Sequence, residues 1–298
     1  MEKIIKIESI AEYNKIRGIE TLHPLVTVMD LSKTFPMPEK TFNFGVYAVY
    51  LKELNCGELK YGRSHYDYQE GTLVFIAPGQ VLGVERKAKP VQPKGWALVF
   101  HPDLIKGTPL GKHIHDYSFF SYDVNEALHL SDKERQIVLD CFSKIEYELE
   151  RAIDKHSKTL IASNIELFLN YCTRFYDRQF ITRDNAHKGT LERFETLLNH
   201  YFESDKPQTG GLPSVAWCAS ELNLSPNYFG DLIRKETGMS AQEYIQSKVI
   251  DVAKERIFDT DKSISELAYG LGFKYPQHFT RLFKQRVGST PLAYRSLN

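Results

Sequence analysis

The segment Pro226-Asn227-Tyr228-Phe229-Gly230-Asp231-Leu232-Ile233-Arg234 returns fifty residues later as Pro276-Gln277-His278-Phe279-Thr280-Arg281-Leu282-Phe283-Lys284. The register continues through Gly238 and Gly288, Ser240 and Thr290, and Tyr244 and Tyr294. Upstream, Ser214-Val215 aligns with Ser263-Ile264, Ala219 with Ala268 and Leu222 with Leu271 at an offset shorter by one. One residue fewer in the intervening turn accounts for the change. A repeat of this length means two copies of one supersecondary unit, so the C-terminal third must fold into a tandem.

Each copy reads as helix, tight turn, helix. Ser263-Ile264-Ser265-Glu266 has the spacing of a capping box. Ile264, Leu267, Ala268 and Leu271 then form an apolar stripe at helical spacing. Gly272 stops that helix and Phe273-Lys274-Tyr275 makes the turn. Pro276 fits the first turn of the next helix, where its missing N–H costs nothing. Phe279, Leu282 and Phe283 are expected inward, leaving Gln277, Thr280, Arg281 and Lys284 on the opposite face. In the first copy, Ser214 to Leu222 supports, Asn223-Leu224-Ser225 turns, and Pro226 to Thr237 presents Asn227, Gly230, Asp231 and Arg234. This is the form of a helix-turn-helix, whose second helix enters the major groove of DNA. Ala241 to Ile257 lies between the copies and carries its own helical stripe, fit to hold two readers at a fixed separation near the ~34 Å of one duplex turn.

The run Ala268-Tyr269-Gly270-Leu271-Gly272-Phe273, the second repeat itself, and Gly288-Ser289-Thr290-Pro291 with Tyr294-Arg295 resemble the signature of AraC/XylS-type transcription regulators. The resemblance covers roughly the last hundred residues, the size of one compact domain. It implies two helix-turn-helix units joined by a long helix, promoter DNA as ligand, a homodimer, RNA polymerase as a partner, and activation in response to a small molecule. The candidate DNA-contacting residues are Ser225, Asn227, Tyr228, Asp231 and Arg234 in the first unit and Tyr275, Gln277, His278, Thr280, Arg281 and Lys284 in the second. Asp231 is open to two readings. It accepts from a cytosine amine, or it pairs with Arg234 three residues on.

Charge divides the two units. Residues 262–298 hold six basic residues against one acidic, whereas 214–261 hold five against eight. The second unit is therefore expected to supply more of the attraction to phosphate. The whole chain of 298 residues is formally neutral, which argues against general polyanion binding and leaves room for a local basic face. It shows neither an apolar run near ~18 residues nor a signal-peptide pattern, so a cytoplasmic protein without membrane partners is expected. Its four cysteines are scattered without a CxxC pair, the pattern of buried free thiols.

The N-terminal part reads differently. From about residue 20 to 105, alternation and aromatic or β-branched content predict short strands, among them Phe42 to Leu51, Thr72 to Ile76 and Trp96 to Phe100. Many short strands imply a sandwich or small barrel. Glu70 to Gln80 resembles the cupin-like sensor half of AraC-type proteins. Two helices follow, Leu130 to Lys155 and Ser157 to Tyr176. The family resemblance implies a dimer contact on this hairpin, and simple core packing is the alternative. Inward aromatics of the barrel are the candidates for an effector pocket: Phe44, Tyr47, Tyr61, His65, Tyr66 and Phe75.

The expected fold is thus α+β. A cupin-like β-barrel with an appended helical hairpin spans residues 1–182, a polar linker 183–189, and an all-α AraC-type DNA-binding domain 190–298. The function expected is a sequence-specific transcription regulator and not an enzyme, with no cofactor or metal. The competing reading is a cupin-type metalloenzyme carrying a helical DNA- or partner-binding tail. His65, His101, His113 and His115 lie in the first half, and His113-x-His115 in a strand would set two ligands on one face. The stretch after Gly71 has no histidine where a metal-binding cupin keeps one.

Overall fold

The computed structural model describes residues 4–53, 58–61, 64–65, 71–85, 94–122, 126–182 and 184–297. No helix among them is long and apolar enough to cross a membrane. The chain divides into two units, Met1–Thr182 and Arg183–Asn298.

The first unit runs β1 (Ile5–Ile7), α1 (Ile10–Arg17), β2 (Val26–Asp30), β3 (Thr41–Phe44), β4 (Tyr47–Lys52), β5 (Glu58–Tyr61), β6 (Ser64–His65), β7 (Thr72–Ile76), β8 (Val81–Glu85) and β9 (Gly95–Phe100). It continues with α2 (Pro102–Ile105), α3 (Pro109–His113), β10 (Leu128–His129), α4 (Asp132–Leu149) and α5 (Ser157–Thr182). The strands form two five-stranded sheets, β1-β3-β8-β5-β6 and β10-β7-β4-β9-β2. All pairings are antiparallel except β1 with β3. One apolar cluster is shared by both sheets: Phe42, Phe44 and Leu82 from the first, Ala48, Tyr50, Val74, Ile76, Ala97 and Val99 from the second. The second sheet turns its other face to helices and loops, where Phe75 meets Phe119, Phe168 and Tyr176.

The alternation read at Phe42, Phe44, Val46, Ala48 and Tyr50 is real, since all five enter the shared core. They do not belong to one strand, however. The chain bends at Gly45-Val46 and passes from the first sheet to the second, with Gly45 N–H donating to Ile7 O at 2.8 Å. The N-terminal stretch is ordered as β1 and α1, the latter opened by a Ser9–Glu12 capping box. The first long helix stops at Leu149 rather than Lys155. Asp154 Oδ1 accepts from the N–H groups of His156 and Ser157 at 2.8 and 2.9 Å, a local turn that competes with the helix. The second runs past Tyr176 to Thr182.

The second unit contains α6 (Asp184–Glu203), α7 (Lys206–Gly210), α8 (Val215–Glu221), α9 (Pro226–Thr237), α10 (Ala241–Arg256), α11 (Ile264–Gly270), α12 (Pro276–Val287) and α13 (Pro291–Leu297). Of the expected linker, residues 184–189 fall in the first turns of α6, which starts at Asp184 and not Thr190, and Arg183 lies outside the described residues. Nothing in 184–189 breaks a helix as proline would, and an acidic residue opens it, as the helix dipole favours. Helix α6 serves both repeats. Phe194 meets Phe229 edge-on at 4.9 Å in the first, and Tyr201 and Phe202 join the core of the second. The long helix α10 packs on both α9 and α12.

Candidate nucleic-acid interface

Helix α9 starts at Pro226 because Ser225 caps it, the hydroxyl accepting from Tyr228 N–H at 3.2 Å. Phe229, Leu232 and Ile233 are buried beneath it. Helix α12 starts at Pro276 without a side-chain cap and buries Phe279 and Phe283, with Leu282 half-buried. Each ends on a left-handed glycine, Gly238 and Gly288. The two supporting helices are capped by Ser214 and by a full Ser263–Glu266 box. The turn before α12 is held by backbone apposition. At Gly272 (φ +94) a Cβ would lie 2.6 Å from the carbonyl carbon of Gly211, closer than any real side chain sits.

The outer face of α12 carries exposed Gln277, His278, Arg281 and Lys284, with Thr280 half-buried. Tyr275, 47% exposed, stacks edge-on with His278 at 5.5 Å and lies under Lys274 Nζ at 5.7 Å. Other cations of this unit have work inside the protein. Arg286 donates to Gln246 Oε1 at 3.1 Å, Arg295 holds the carbonyls of Ile257 and Lys262, and Lys262 pairs with Asp259 at 3.2 Å. Lys274, Arg281 and Lys284 have no hydrogen-bond or ion-pair partner among the described residues. They line the turn and the exposed face of α12.

Helix α9 offers less. Asn227 and Arg234 are exposed, Gly230 and Asp231 half-buried, and Asp231 already has a partner within the chain. A Cβ built on Gly230 would meet nothing within 4 Å. Ser225 and Tyr228 are corrected as contact residues: they are 3% and 4% exposed. Ser225 lies under the helix start as its cap, and Tyr228 sits beside Phe229 and Leu232 on the inward side. Both position α9 and present nothing outward. The helix between the two units is capped and packed at its start. The Ser240 hydroxyl and N–H hydrogen-bond the Glu243 carboxylate at the start of α10, holding it below the usual glutamate range, with help from nearby Arg286 and Arg234. Burial, and its hydrogen bond to the Glu195 carboxylate, push the Tyr244 hydroxyl up to about 12, locking α10 to α6.

Of the six aromatic and histidine candidates of the first unit, the three with described side chains do not converge. Phe44 enters the core between the sheets, whereas Tyr47 and Phe75 face the opposite side of the second sheet. Tyr47 stacks on Phe100 at 4.9 Å, and Phe75 is enclosed by Phe119 and Phe120. The side chains of Tyr61 and His65, and Tyr66 as a whole, lie outside the described residues. Of the other histidines, His101 caps α2 by accepting from Asp103 N–H at 3.1 Å. His113 and His115 are not in a strand. They occupy the end of α3 and the 3-10 turn after it, and His113 Nδ1 lies 3.1 Å from Asp116 Oδ2.

Comparison with known proteins concerns mainly the second unit. Residues 218–296 match a family model described as a helix-turn-helix domain. The HTH-type transcriptional regulator YtdP of Bacillus subtilis is 31% identical over 112 residues, 38% of this chain and 14% of the relative. YfiF of the same organism, another HTH-type transcriptional regulator, is 32% identical over 141 residues, 47% of this chain and 41% of the relative. The chain thus spans less than half the length of either. Among solved structures, a transcriptional regulator from Chromobacterium violaceum with an AraC-type DNA-binding domain aligns at 18% identity and a TM-score of 0.32, over 38% of this chain and 94% of its own.

Proposed function

We propose that this chain, whose C-terminal domain is of the AraC helix-turn-helix type, is a sequence-specific regulator that activates transcription in response to a small molecule sensed by its N-terminal unit. The observation that carries the DNA-binding part is the set of three cations without an ion-pair or hydrogen-bond partner among the described residues, Lys274, Arg281 and Lys284, along α12 and its preceding turn. On this reading α12 lies in a major groove, with Gln277 and Arg281 toward base edges and Lys274 and Lys284 toward phosphates. Helix α9 enters the neighbouring groove with Asn227 and Arg234. Its approach is closer and less informative, because Gly230 reads no base. Thr280, His278 and Tyr275 complete the contact on α12. RNA polymerase is the expected partner at the promoter. A homodimer is supported by Leu160 and Leu167, exposed seven residues apart on one face of α5.

Mapping bound DNA across the genome supplies the target, and binding is then measured at several salt concentrations. Arg281→Ala is expected to cost about 1–3 kcal/mol and to relax selectivity at one base position. Lys284→Ala should weaken binding to all sequences alike and lower the salt slope by about one. Unchanged affinity in both variants rejects the assigned face. A monomer by light scattering at micromolar concentration rejects the α5 contact.

A further inference from the structure

Among the buried polar residues of the N-terminal unit is one arginine. Arg17, the last residue of α1, is 3% exposed. Its Nη2 donates to Thr34 Oγ1 at 2.6 Å, and its Nε–H has no acceptor. No carboxylate among the described residues pairs with it. Of the donors of the guanidinium, Nη2 is met by this hydroxyl and the buried Nε–H is left without a partner. Taking an unpaired charge out of water is costly, and such a charge is ordinarily matched by a counter-charge.

A second unmatched group lies beside it. Asn14, three residues earlier and so on the same helix face, is fully buried. Its Nδ2 donates to Thr21 Oγ1 at 3.1 Å and to Glu20 O at 3.4 Å, while Oδ1 has no donor. Farther in, the Tyr13 and Tyr50 hydroxyls meet at 2.7 Å. Burial pushes both phenols up, and Arg17 is close enough to pull both down. Neither phenol is therefore an anion that neutralises the guanidinium. Donor and acceptor thus stand unanswered on one side of α1: a planar cation suited to a carboxylate, and an amide oxygen suited to a hydroxyl or amine.

We propose that α1 carries an anion site, with Arg17 anchoring the carboxylate of a small hydroxy or amino acid and Asn14 Oδ1 accepting from that molecule's hydroxyl or amine. The site deepens the reading of this unit as the effector-sensing half, and rests on it only for the link to DNA.

The test uses the full chain. Melting temperature is followed against sodium lactate, L-serine, acetate, phosphate and chloride at constant ionic strength. Lactate or serine should raise it saturably above chloride, and acetate less. Arg17→Met should melt higher than wild type without added anion, since an unmatched buried charge is gone, and should show no lactate or serine response. If Arg17→Met does not fold, the nitrogen-15 signal of the wild-type Arg17 Nε–H is followed instead, and lactate or serine should shift it. The site is rejected if neither raises the melting temperature above chloride, if the rise survives in Arg17→Met, or if that signal is unmoved. A response to phosphate alone rejects the carboxylate assignment. DNA affinity is measured in parallel: an Arg17-dependent anion response with unchanged DNA affinity upholds the site and refutes the sensing role.

Discussion

Gly230 stands in the interior of a twelve-residue helix, where glycine is a poor choice. Packing does not explain it, because a Cβ there would meet nothing within 4 Å. Its place on the outward side of α9 fits a need for close approach by something outside the protein. Gly230→Ala should therefore stabilise the fold by about 0.5–1 kcal/mol in urea unfolding, and Gly230→Gln should weaken DNA binding without unfolding the domain. Equal DNA affinity for wild type and the glutamine variant rejects the close approach. Gly272 is the opposite case. Its positive φ and its contact with the Gly211 backbone leave no room for a methyl group. Gly272→Ala should cost at least about 1–3 kcal/mol, and a melting temperature within a degree of wild type would contradict this. Sequence reading gave Gly272 the role of a helix stop and Gly230 a place on the outward face, but the contact with Gly211 and the open space around Gly230 depend on neighbours outside the repeat pattern. One is a requirement of internal geometry, and the other is not. Ser225 and Tyr228 were misread for a related reason. They flank the outward stripe, and only coordinates show that both turn under the helix.

Among elements, those whose signals are local were legible. Helices α8 to α12 announce themselves through caps, stripes and prolines, all short-range features. The capping boxes also have an acid-sensitive side. Ser240 and Ser263 hydrogen-bond the carboxylates of Glu243 and Glu266 and hold both below the usual glutamate range. A depressed folded value means stability that is present above the unfolded value and lost as pH falls through the folded one. The urea midpoint of the second unit should therefore drop between pH 6 and about 3, and less steeply in Ser263→Ala. Parallel slopes in the two proteins would rule out that box as a contributor. Elements set by long-range pairing were not legible. The alternation from Phe42 to Tyr50 is the same whether one strand or two carry it; the sheet change at Gly45 depends on partners distant in sequence. Trp217 was missed as well. It packs 4.8 Å from Tyr201, in the core of the other repeat. A stripe drawn on α8 alone does not contain that neighbour.

Taken as a whole, the molecule is two separately compact units with different folding logic. The first is dominated by strand pairs far apart in sequence, the second by helices that meet near neighbours. Local topologies fold faster. Calorimetry of the full chain should resolve two transitions, one of which persists in a fragment of residues 183–298 that also retains DNA binding. A single transition, or a fragment without cooperative unfolding, would show that the units stand or fall together. Which half carries the helix-turn-helix domain was evident from the repeat. The effector candidates were not resolvable, since facing in or out depends on register, and the sheets send Phe44 one way and Phe75 the other.

The sixteen-residue helix α10 has no proline or glycine within it and is braced by α6, α9 and α12. A rod like that has no joint. One extra residue in it would swing the distal helix-turn-helix unit by about a quarter-turn or more, whereas one extra base pair, in a duplex of about 10 per turn, rotates half of a site by only about a tenth of a turn. On the proposed reading, added spacing between the two halves of a site should therefore cost affinity progressively and most near half a turn, about five base pairs.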